Sequence, residues 1–377
     1  MRFRLAGKKN MTGGSLSLAA WKKFLENKMA VISMVYLLIV FFISAVGYLF
    51  IPDSTPKTNR QNLEIGAEKP GFSILMFKEP KDAIEDDDGF LSRIFKGRRD
   101  RFTYIPIDSY HISDSLLTIA GFTGESNLPG PEKTYKLSDV SVNKNIFRRT
   151  YLLGTDQFGR DLLSRLVIGA RVSLSVGFVS VFISLLIGIF VGAIGGHYGG
   201  KADKVVMWLI NVVWSIPTLL LVIAITFALG RGFWQIFIAV GFTMWVEVAR
   251  VTRGQILSVR QKEFVEAARA MGFSDSRIIL RHILPNIAGP VIIISAANFA
   301  SAILIEAGLS FLGIGVQPPM PSWGNMIREN YAYLLLDAPH LAILPGLAIM
   351  ITVLACMIIG NGLRDAMDVK AENPVGI

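Results

Sequence analysis

The sequence has little of what most enzymes and disulfide-rich proteins depend on: one cysteine, four histidines and only 18% charged residues among 377. A lone Cys356 cannot form a disulfide within the chain or supply a cysteine-based metal site. No HExxH or CxxC pattern, nucleophile elbow or phosphate-binding GxxxxGK[ST] pattern occurs. We therefore predict no metal, no cofactor and no ATPase motif in the chain itself.

What the sequence does contain is apolar residues, which make up 52% of it. Several apolar runs are long enough to cross a bilayer as helices. No convincing small-x-small cleavage site follows the first run, which favours an uncleaved anchor. We predict an all-α membrane protein with six transmembrane helices, at about residues 29–51, 172–194, 205–229, 233–249, 287–314 and 341–363.

The distribution of basic residues predicts the orientation of these helices. An even number of spans places both termini on one side. If that side is the cytosol, the cytosolic segments hold 18 Lys and Arg, and the short outer loops hold only Arg231 and Arg328. This bias predicts an N-in/C-in topology with cytosolic ends at 1–28 and 367–377. The net charge of +9 then reflects topology and contact with anionic lipid headgroups, so nucleic acid binding is not expected.

The large polar region lies at residues 52–150, between the first two spans, which makes it extracytoplasmic. It holds 15 basic and 15 acidic residues, together with clusters of proline, glycine and aspartate. Its charge runs and low aromatic content favour a partly ordered loop. The alternative is a small domain that contacts a partner or the incoming substrate.

The permease-like core at 151–366 opens with "LLGTDQFGRDLLSRLVIGARVSLSVG", from Leu152 to Gly177. In this motif Thr155 or Asp156 could cap a helix, and Gly159 permits close approach. Leucines then alternate with charged residues in a pattern typical of an amphipathic helix at the outer interface. The candidate residues of this outer-interface motif are Gly154, Thr155, Asp156, Gly159, Arg160 and Asp161.

Three residues interrupt the apolar character of the predicted spans. Pro217 lies in the middle of the third span, where a missing backbone hydrogen bond predicts a kink. Asn298 and Glu306 lie in the fifth span, where a carboxylate is costly unless it faces protein or water. Asn298 and Glu306 are therefore possible pathway-lining residues, and the alternative for Glu306 is a satisfied hydrogen bond between helices.

A polar segment separates the fourth and fifth spans, and its core reads "VEAARAMGFSDSRIILRHILPN". The pattern predicts a helix over Ser258–Met271, ended by Gly272 in the left-handed conformation. A second short helix follows, and Pro285 is predicted to end it and begin the fifth span. Residues 258–285 would then form a helical hairpin in the cytosol, with small alanines that another surface can approach closely.

This hairpin resembles the EAA loop of ABC-importer permeases, on Glu266, Ala267, Ala268, Gly272, Leu284 and Pro285. The family often has an aliphatic residue where His282 stands. The motif at 152–177 and "EAGLSFLGIGVQPPMPSWGNM", from Glu306 to Met326, resemble the C-type permease subunits of dipeptide and oligopeptide importers. The resemblance covers roughly residues 18–50 and 150–370 and does not extend to the polar region between them.

The resemblance implies a transmembrane permease subunit of the bacterial cytoplasmic (inner) membrane, driven by ATP hydrolysis in other subunits. The implied partners are a second homologous permease subunit, two cytosolic ATP-binding subunits, an extracytoplasmic solute-binding protein and the lipid bilayer. The hairpin would couple ATPase closure to helix motion. In that role Glu266 would meet a basic group, Gly272 would give the turn, and Ala267 and Ala268 would allow close packing.

Other functions remain open at this point. An ion-gradient-driven secondary transporter would need buried ionisable residues in its spans, and the clear candidate is Glu306, with Glu247 at the margin of the fourth span. A membrane-anchored sensor or assembly factor would need neither six spans nor this hairpin. Within the ABC class the solute could be a di- or oligopeptide, or a nickel chelate, glutathione, a peptide antibiotic or a sugar.

Overall fold

The computed structural model describes residues 16–81, 89–124, 130–230 and 232–367. This part of the chain consists of a helical membrane region and a small β-sheet domain inserted after its first long helix. The helices are α1 (Leu16–Glu26), α2 (Lys28–Val46), α3 (Phe90–Lys96), α4 (Val142–Asn145), α5 (Leu162–Tyr198), α6 (Gly200–Trp214), α7 (Thr218–Leu229), α8 (Phe233–Val259), α9 (Glu263–Ala270), α10 (Asp275–Ile278), α11 (Leu284–Phe311), α12 (Trp323–Asn330) and α13 (His340–Met367).

Five stretches of helix in the described residues are long and apolar enough to cross a membrane, and a bent pair can form a sixth span. This agrees with the prediction of a helical protein that crosses the membrane several times. The five are Lys28–Leu49, Leu162–Tyr198, Phe233–Val259, Asp275–Phe311 and His340–Met367.

The predicted third span is not a kinked helix. It is broken between α6 and α7, which meet at 90°. Pro217 precedes the first residue of α7 and has an extended ψ of 124°. Proline also disfavours the helical conformation in the residue before it, here Ile216, so the helix stops rather than bends.

The helix predicted to lie along the outer interface is instead the beginning of a span. α5 runs without interruption from Leu162 to Tyr198, and its N-cap is Asp161, whose carboxylate accepts from the Ser164 amide at 2.7 Å. The prediction failed because Arg165 does not face water. Its side chain is 1% exposed and paired inside the protein, and a pattern of charged residues cannot reveal such a partner.

The hairpin also differs from its predicted boundaries. α8 continues to Val259, so the first hairpin helix, α9, begins only at Glu263. The second does not end at Pro285. A π-helical turn, Ile279–Ile283, joins α10 to α11, and the helix is continuous from Asp275 to Phe311. Pro285 lies in the first turn of α11, and its missing N–H is tolerated because the wider π turn changes the hydrogen-bond pattern there.

The polar region at residues 52–150 corrects the all-α prediction. Of the two alternatives, the structure has a folded small domain with a five-stranded antiparallel sheet in the order β4-β3-β2-β1-β5. One cluster of buried side chains includes Phe77, Ile107 and Leu117, and a second includes Ile74 and Met76. Its strands are β1 (Phe72–Pro80), β2 (Phe102–Ser113), β3 (Leu116–Gly121), β4 (Glu132–Lys136) and β5 (Ile146–Tyr151).

Arg171 of α5 ties this domain to the membrane helices. Its guanidinium donates to the carbonyls of Ser44 and Ala45 at the end of α2, both at 2.8 Å. It also donates to the carbonyls of Ile94 and Phe95 in α3, at 3.2 and 2.9 Å. One cation thus satisfies carbonyls at two helix C-termini, where the partial negative charge of the backbone favours it.

Candidate functional site

The hairpin turn is built as the sequence predicts. Gly272 has φ +77°, the left-handed conformation that glycine adopts without steric cost. The amide of Phe273 donates to the Ala268 carbonyl at 3.2 Å and that of Gly272 donates to Arg269 at 2.9 Å, which closes the end of α9. Ser274 then precedes α10 in an extended conformation. The turn fixes the angle between α9 and the long helix that contains α11.

The six EAA-loop residues do not all share one exposed surface. Glu266 and Ala267 are exposed, as is Pro285, whereas Leu284 is half-buried. Ala268 is only 1% exposed and packs with Val265, Ile278 and neighbouring apolar side chains inside the hairpin. Ala268 therefore packs inside the hairpin in this conformation, whereas Ala267, which points in another direction from the helix, is exposed. That these residues dock a partner stays a prediction.

Sequence reasoning missed three apolar side chains that the hairpin presents to solvent. Phe264 is 40% exposed, and Met271 and Leu280 are each 64% exposed. Their signal was available as large apolar residues in a segment predicted to be cytosolic. Exposed apolar groups beside a charged helix face are typical of a surface that another protein covers.

The hairpin is anchored to the C-terminal ends of α5 and α8. The His197 ring of α5, 5% exposed, lies 3.0 Å from the Asp275 carboxylate at the start of α10. Arg260, just after α8, donates to the carbonyls of Gly196 and His197 at 3.2 and 3.1 Å. A displacement of the hairpin would therefore be transmitted to α5 through polar contacts as well as through the continuous α10–α11 helix.

The outer-interface motif is a tight turn packed on the β-sheet domain. Gly154 and Gly159 both have positive φ, +80° and +68°. A Cβ on Gly154 would lie 2.2 Å from the Glu68 carbonyl oxygen, and one on Gly159 would lie 1.7 Å from that of Asn62. The Thr155 hydroxyl donates to the Ile65 carbonyl at 2.5 Å. The motif needs these residue types because the backbone of 62–68 crosses directly over it.

Asp156 is the centre of a buried ionic network in this turn. Its carboxylate accepts from the Phe158 and Arg160 amides at 3.0 Å and from Arg160 Nε at 2.7 Å. Arg165 Nε lies 3.3 Å from the same carboxylate. The two arginines also reach Glu329 of α12, at 2.6 and 3.1 Å. Two carboxylates therefore balance two buried guanidinium groups.

Asp161 contributes through local structure rather than through this network. It caps α5, and its carboxylate lies 4.0 Å from Arg149 of β5. Burial raises the pKa of the Asp161 carboxyl above its ordinary value, and the hydrogen bonds from Ser164 oppose that shift. The outer motif thus joins β5, α5 and α12 in one rigid corner.

Glu306 lies in the same part of the molecule, fully buried inside α11. Its carboxyl oxygens accept from the hydroxyls of Ser173 in α5, at 3.1 Å, and Ser310, at 2.7 Å. Ser310 lies 3.4 Å from the Ser322 hydroxyl next to α12. The sequence predicted that a carboxylate here is costly, but it did not predict the hydroxyl partners: Ser310 lies one turn away in α11, and Ser173 comes from α5.

Asn298 is also fully buried, and neither its amide nitrogen nor its amide oxygen has a hydrogen-bond partner in the described residues. Asn298 and Glu306 therefore do not lie on an open surface of this chain. That they line a transport pathway stays a prediction. For Glu306 the geometry favours the alternative of internal hydrogen bonding.

We expect Glu306→Gln to keep the assembled protein stable and to change its activity by less than about twofold, because serine hydroxyls can donate to an amide oxygen as they do to a carboxyl. Glu306→Ala should lower stability by about 1–3 kcal/mol, since it leaves buried hydroxyls without an acceptor and opens a cavity. Thermal unfolding in detergent measures both variants. Loss of activity in a fully stable Glu306→Gln protein would contradict the structural role.

Comparisons with known proteins agree with this geometry. Residues 184–372 match the family "Binding-protein-dependent transport system inner membrane component". Residues 15–68 match "N-terminal TM domain of oligopeptide transport permease C". The second match covers α1, α2 and the start of the polar region that follows them, and the first covers the hairpin and the helices around it.

Among curated relatives, the glutathione transport system permease protein GsiD of Escherichia coli O6:K15:H31 is 43% identical over 219 residues, which is 58% of this chain and 72% of the relative. GsiD of Pectobacterium atrosepticum is 41% identical over 221 residues, 59% of this chain and 73% of the relative.

A solved structure of the inward-facing MetNI methionine ABC transporter has a TM-score of 0.46 at 20% identity and covers 54% of this chain and 97% of the solved chain. The family and the relatives are membrane permease subunits, whose ATP hydrolysis occurs in partner subunits. The two family matches and the similarity to GsiD establish that the chain belongs to the family of binding-protein-dependent transport system inner membrane components, as an ABC-importer permease of the peptide type in the bacterial inner membrane.

Proposed function

We propose that this permease carries a peptide-like solute, a short peptide or glutathione, across the bacterial inner membrane together with a second, homologous permease subunit. The observation that carries the coupling part of the proposal is the hairpin, with Glu266 and Ala267 exposed on a helix set by a glycine turn. The substrate class is supported by relatives named for glutathione transport. The chain and these relatives belong to the class of importers in which a binding protein delivers the solute.

The mechanism follows from the rigidity of the contacts. A cytosolic ATPase subunit would bind the exposed face of α9, with Phe264 and Met271 in an apolar cleft and Glu266 toward a basic group. Because α10 and α11 form one helix, rotation of the docked hairpin would tilt the whole fifth span. The contact of His197 with Asp275 would carry the same motion to α5. This is a two-state element that ATP binding can bias.

The test is reconstitution of the complete transporter. The permease is purified with its copurifying subunits, and the solute-binding protein is identified by mass spectrometry together with its bound ligand. Proteoliposomes with internal ATP are then assayed for uptake of reduced glutathione and of trialanine. ATP-dependent uptake of either supports the proposal. If the complex assembles and hydrolyses ATP but takes up neither solute, and its binding protein holds a non-peptide ligand, the proposal of a peptide-like solute is wrong.

The N-in/C-in topology is a separate prediction. Single cysteines at Ser115, an exposed turn residue between β2 and β3, and at Ser274 in the hairpin can be compared in a Cys356→Ala background. We expect an impermeant thiol reagent to label Ser115→Cys in intact cells and to label Ser274→Cys only after the membrane is opened. Labelling in the opposite order would reverse the topology.

A further inference from the structure

Glu247 is a carboxylate in the middle of a membrane-spanning helix. α8 extends ten residues past its predicted end and runs from Phe233 to Val259. At about 1.5 Å per residue, Glu247 is therefore about 20 Å from the outer end of α8 and about 18 Å from the cytosolic end. The neighbouring residues Val246 and Val248 are buried, whereas Glu247 is exposed on the surface of this single chain. A charge at this depth is expensive unless it meets water or a cation.

The carboxylate lines a cavity formed where α6 and α7 separate. The cavity has a volume of about 230 Å³, and its walls come from α8, from α11 and from both sides of the 90° break. Hydroxyl groups at Thr218, Thr243 and Ser301 line it together with apolar side chains such as Trp214 and Ile305. Broken helices at membrane depth are tolerated where they line a cavity. This cavity is thus a polar recess inside the bilayer rather than a packing defect.

Glu247 is the one ionisable residue of the lining. In the described part of the chain its carboxylate makes no ion pair within 4.0 Å. Arg250, one turn further along α8, makes no ion pair with Glu247, and its guanidinium stacks on the Trp214 ring at 3.5 Å from the ring centroid. The recess therefore has one carboxylate that no cation of the described residues contacts directly.

The geometry points to Glu247 as the anchor of a binding site for the ammonium group of the solute in transit, with the hydroxyls of Thr218, Thr243 and Ser301 available as further hydrogen-bond partners. A primary ammonium is compact and donates several hydrogen bonds, so it suits one carboxylate beside hydroxyls. Short peptides and glutathione both carry such a group. This inference rests on the proposed function for the identity of the solute but not for the charge preference of the recess.

The charge preference is tested on the assembled transporter by cysteine labelling, which needs no solute. Ser301→Cys in a Cys356→Ala background places one thiol in the recess, on α11. The measured quantity is the labelling rate of the cationic methanethiosulfonate MTSET divided by that of the anionic MTSES. We expect this ratio to be about tenfold higher with Glu247 present than after Glu247→Gln is added. Glu247→Asp should retain most of the preference. Glu132→Gln, on the exposed face of β4, is the matched control and should change nothing.

Solute binding is tested by uptake. We expect Glu247→Gln to lower ATP-driven uptake of reduced glutathione or trialanine, whichever the unaltered transporter carries, by about tenfold, with Glu247→Asp restoring part of it. Either solute at high concentration should slow MTSET labelling of Ser301→Cys.

The outcomes separate the two claims. If the unaltered transporter carries neither solute, the proposed function fails, and the labelling ratio alone then supports or overturns the cation-preferring recess. A ratio unchanged by Glu247→Gln overturns it. Unchanged uptake in Glu247→Gln, or a complex that no longer assembles because the carboxylate binds a basic side chain of another subunit, overturns the solute site.

Discussion

Gly272→Asp is expected to reduce ATP-driven uptake at least about tenfold, which corresponds to about 1.4 kcal/mol of lost coupling or docking free energy. The substitution places a carboxylate at the tip of the hairpin, next to the exposed Met271. A Cβ at Gly272 would meet no other atom of the described residues within 4 Å, so space does not limit the side chain. The positive φ of +77° strains any side chain at this position. The cost specific to aspartate arises at the surface that the ATPase would cover, where an added unpaired charge loses its hydration.

Gly272→Asn is the matched control, because asparagine has the same size and also tolerates positive φ. Uptake in the asparagine variant should fall less than in the aspartate variant. Membrane insertion and ATPase copurification should be measured for both. If both variants lose uptake equally while ATPase binding is normal, the turn conformation rather than docking is at fault. Normal uptake in Gly272→Asp would remove the hairpin tip from the coupling mechanism.

Asp156→Asn should destabilise the outer corner by about 3–5 kcal/mol, the usual cost of removing one partner from a buried ion pair. The change leaves Arg160 and Arg165 close together with Glu329 as their remaining carboxylate. Amide hydrogen atoms of the asparagine would also face guanidinium donors. We expect a lower midpoint of thermal unfolding in detergent and faster proteolysis of the β-sheet domain, which this corner joins to α5.

Asp108→Asn removes an equal charge from an exposed position of the same domain and should leave the unfolding midpoint unchanged. A third variant, Glu329→Gln, is expected to act in the same direction as Asp156→Asn, and the double variant should cost less than the sum, since the two residues share their arginine partners. If the Asp156→Asn protein were as stable as the unaltered one, the ionic network would not contribute to the stability of the fold.

The contacts around the Asp156 turn join the β-sheet domain to several of the long helices. Arg171 fixes α3 to the end of α2, and the Asp156 network fixes the turn before α5 to α12. A solute-binding protein that presses on the β-sheet domain would therefore press on α5 and α12 together. This is a physical reason for retaining charged residues at the outer ends of apolar helices.

The sequence by itself determined the features that depend on local chemistry. Apolar run length identified the membrane segments, and the positive-φ requirement at Gly272 located the hairpin turn. The resemblance to a permease rested on Glu266, Ala267, Ala268, Gly272, Leu284 and Pro285, together with the motifs at 152–177 and 306–326. Each of these depends on neighbours a few residues away, which a single sequence displays directly.

Only the tertiary structure decided the features that depend on distant partners. The pairing of Arg165 with Glu329 joins residues 164 positions apart, and the Ser173 hydroxyl reaches Glu306 across 133 positions. The alternation of leucines and charged residues alone predicted that the helix containing Arg165 lies at the interface with its charged face toward water. The β-sheet depended on distant partners in the same way, because its strands gain their stability from pairing with strands elsewhere in the chain. The position of Glu247 within α8 followed from the true length of that helix, which continues ten residues past the end of the apolar run.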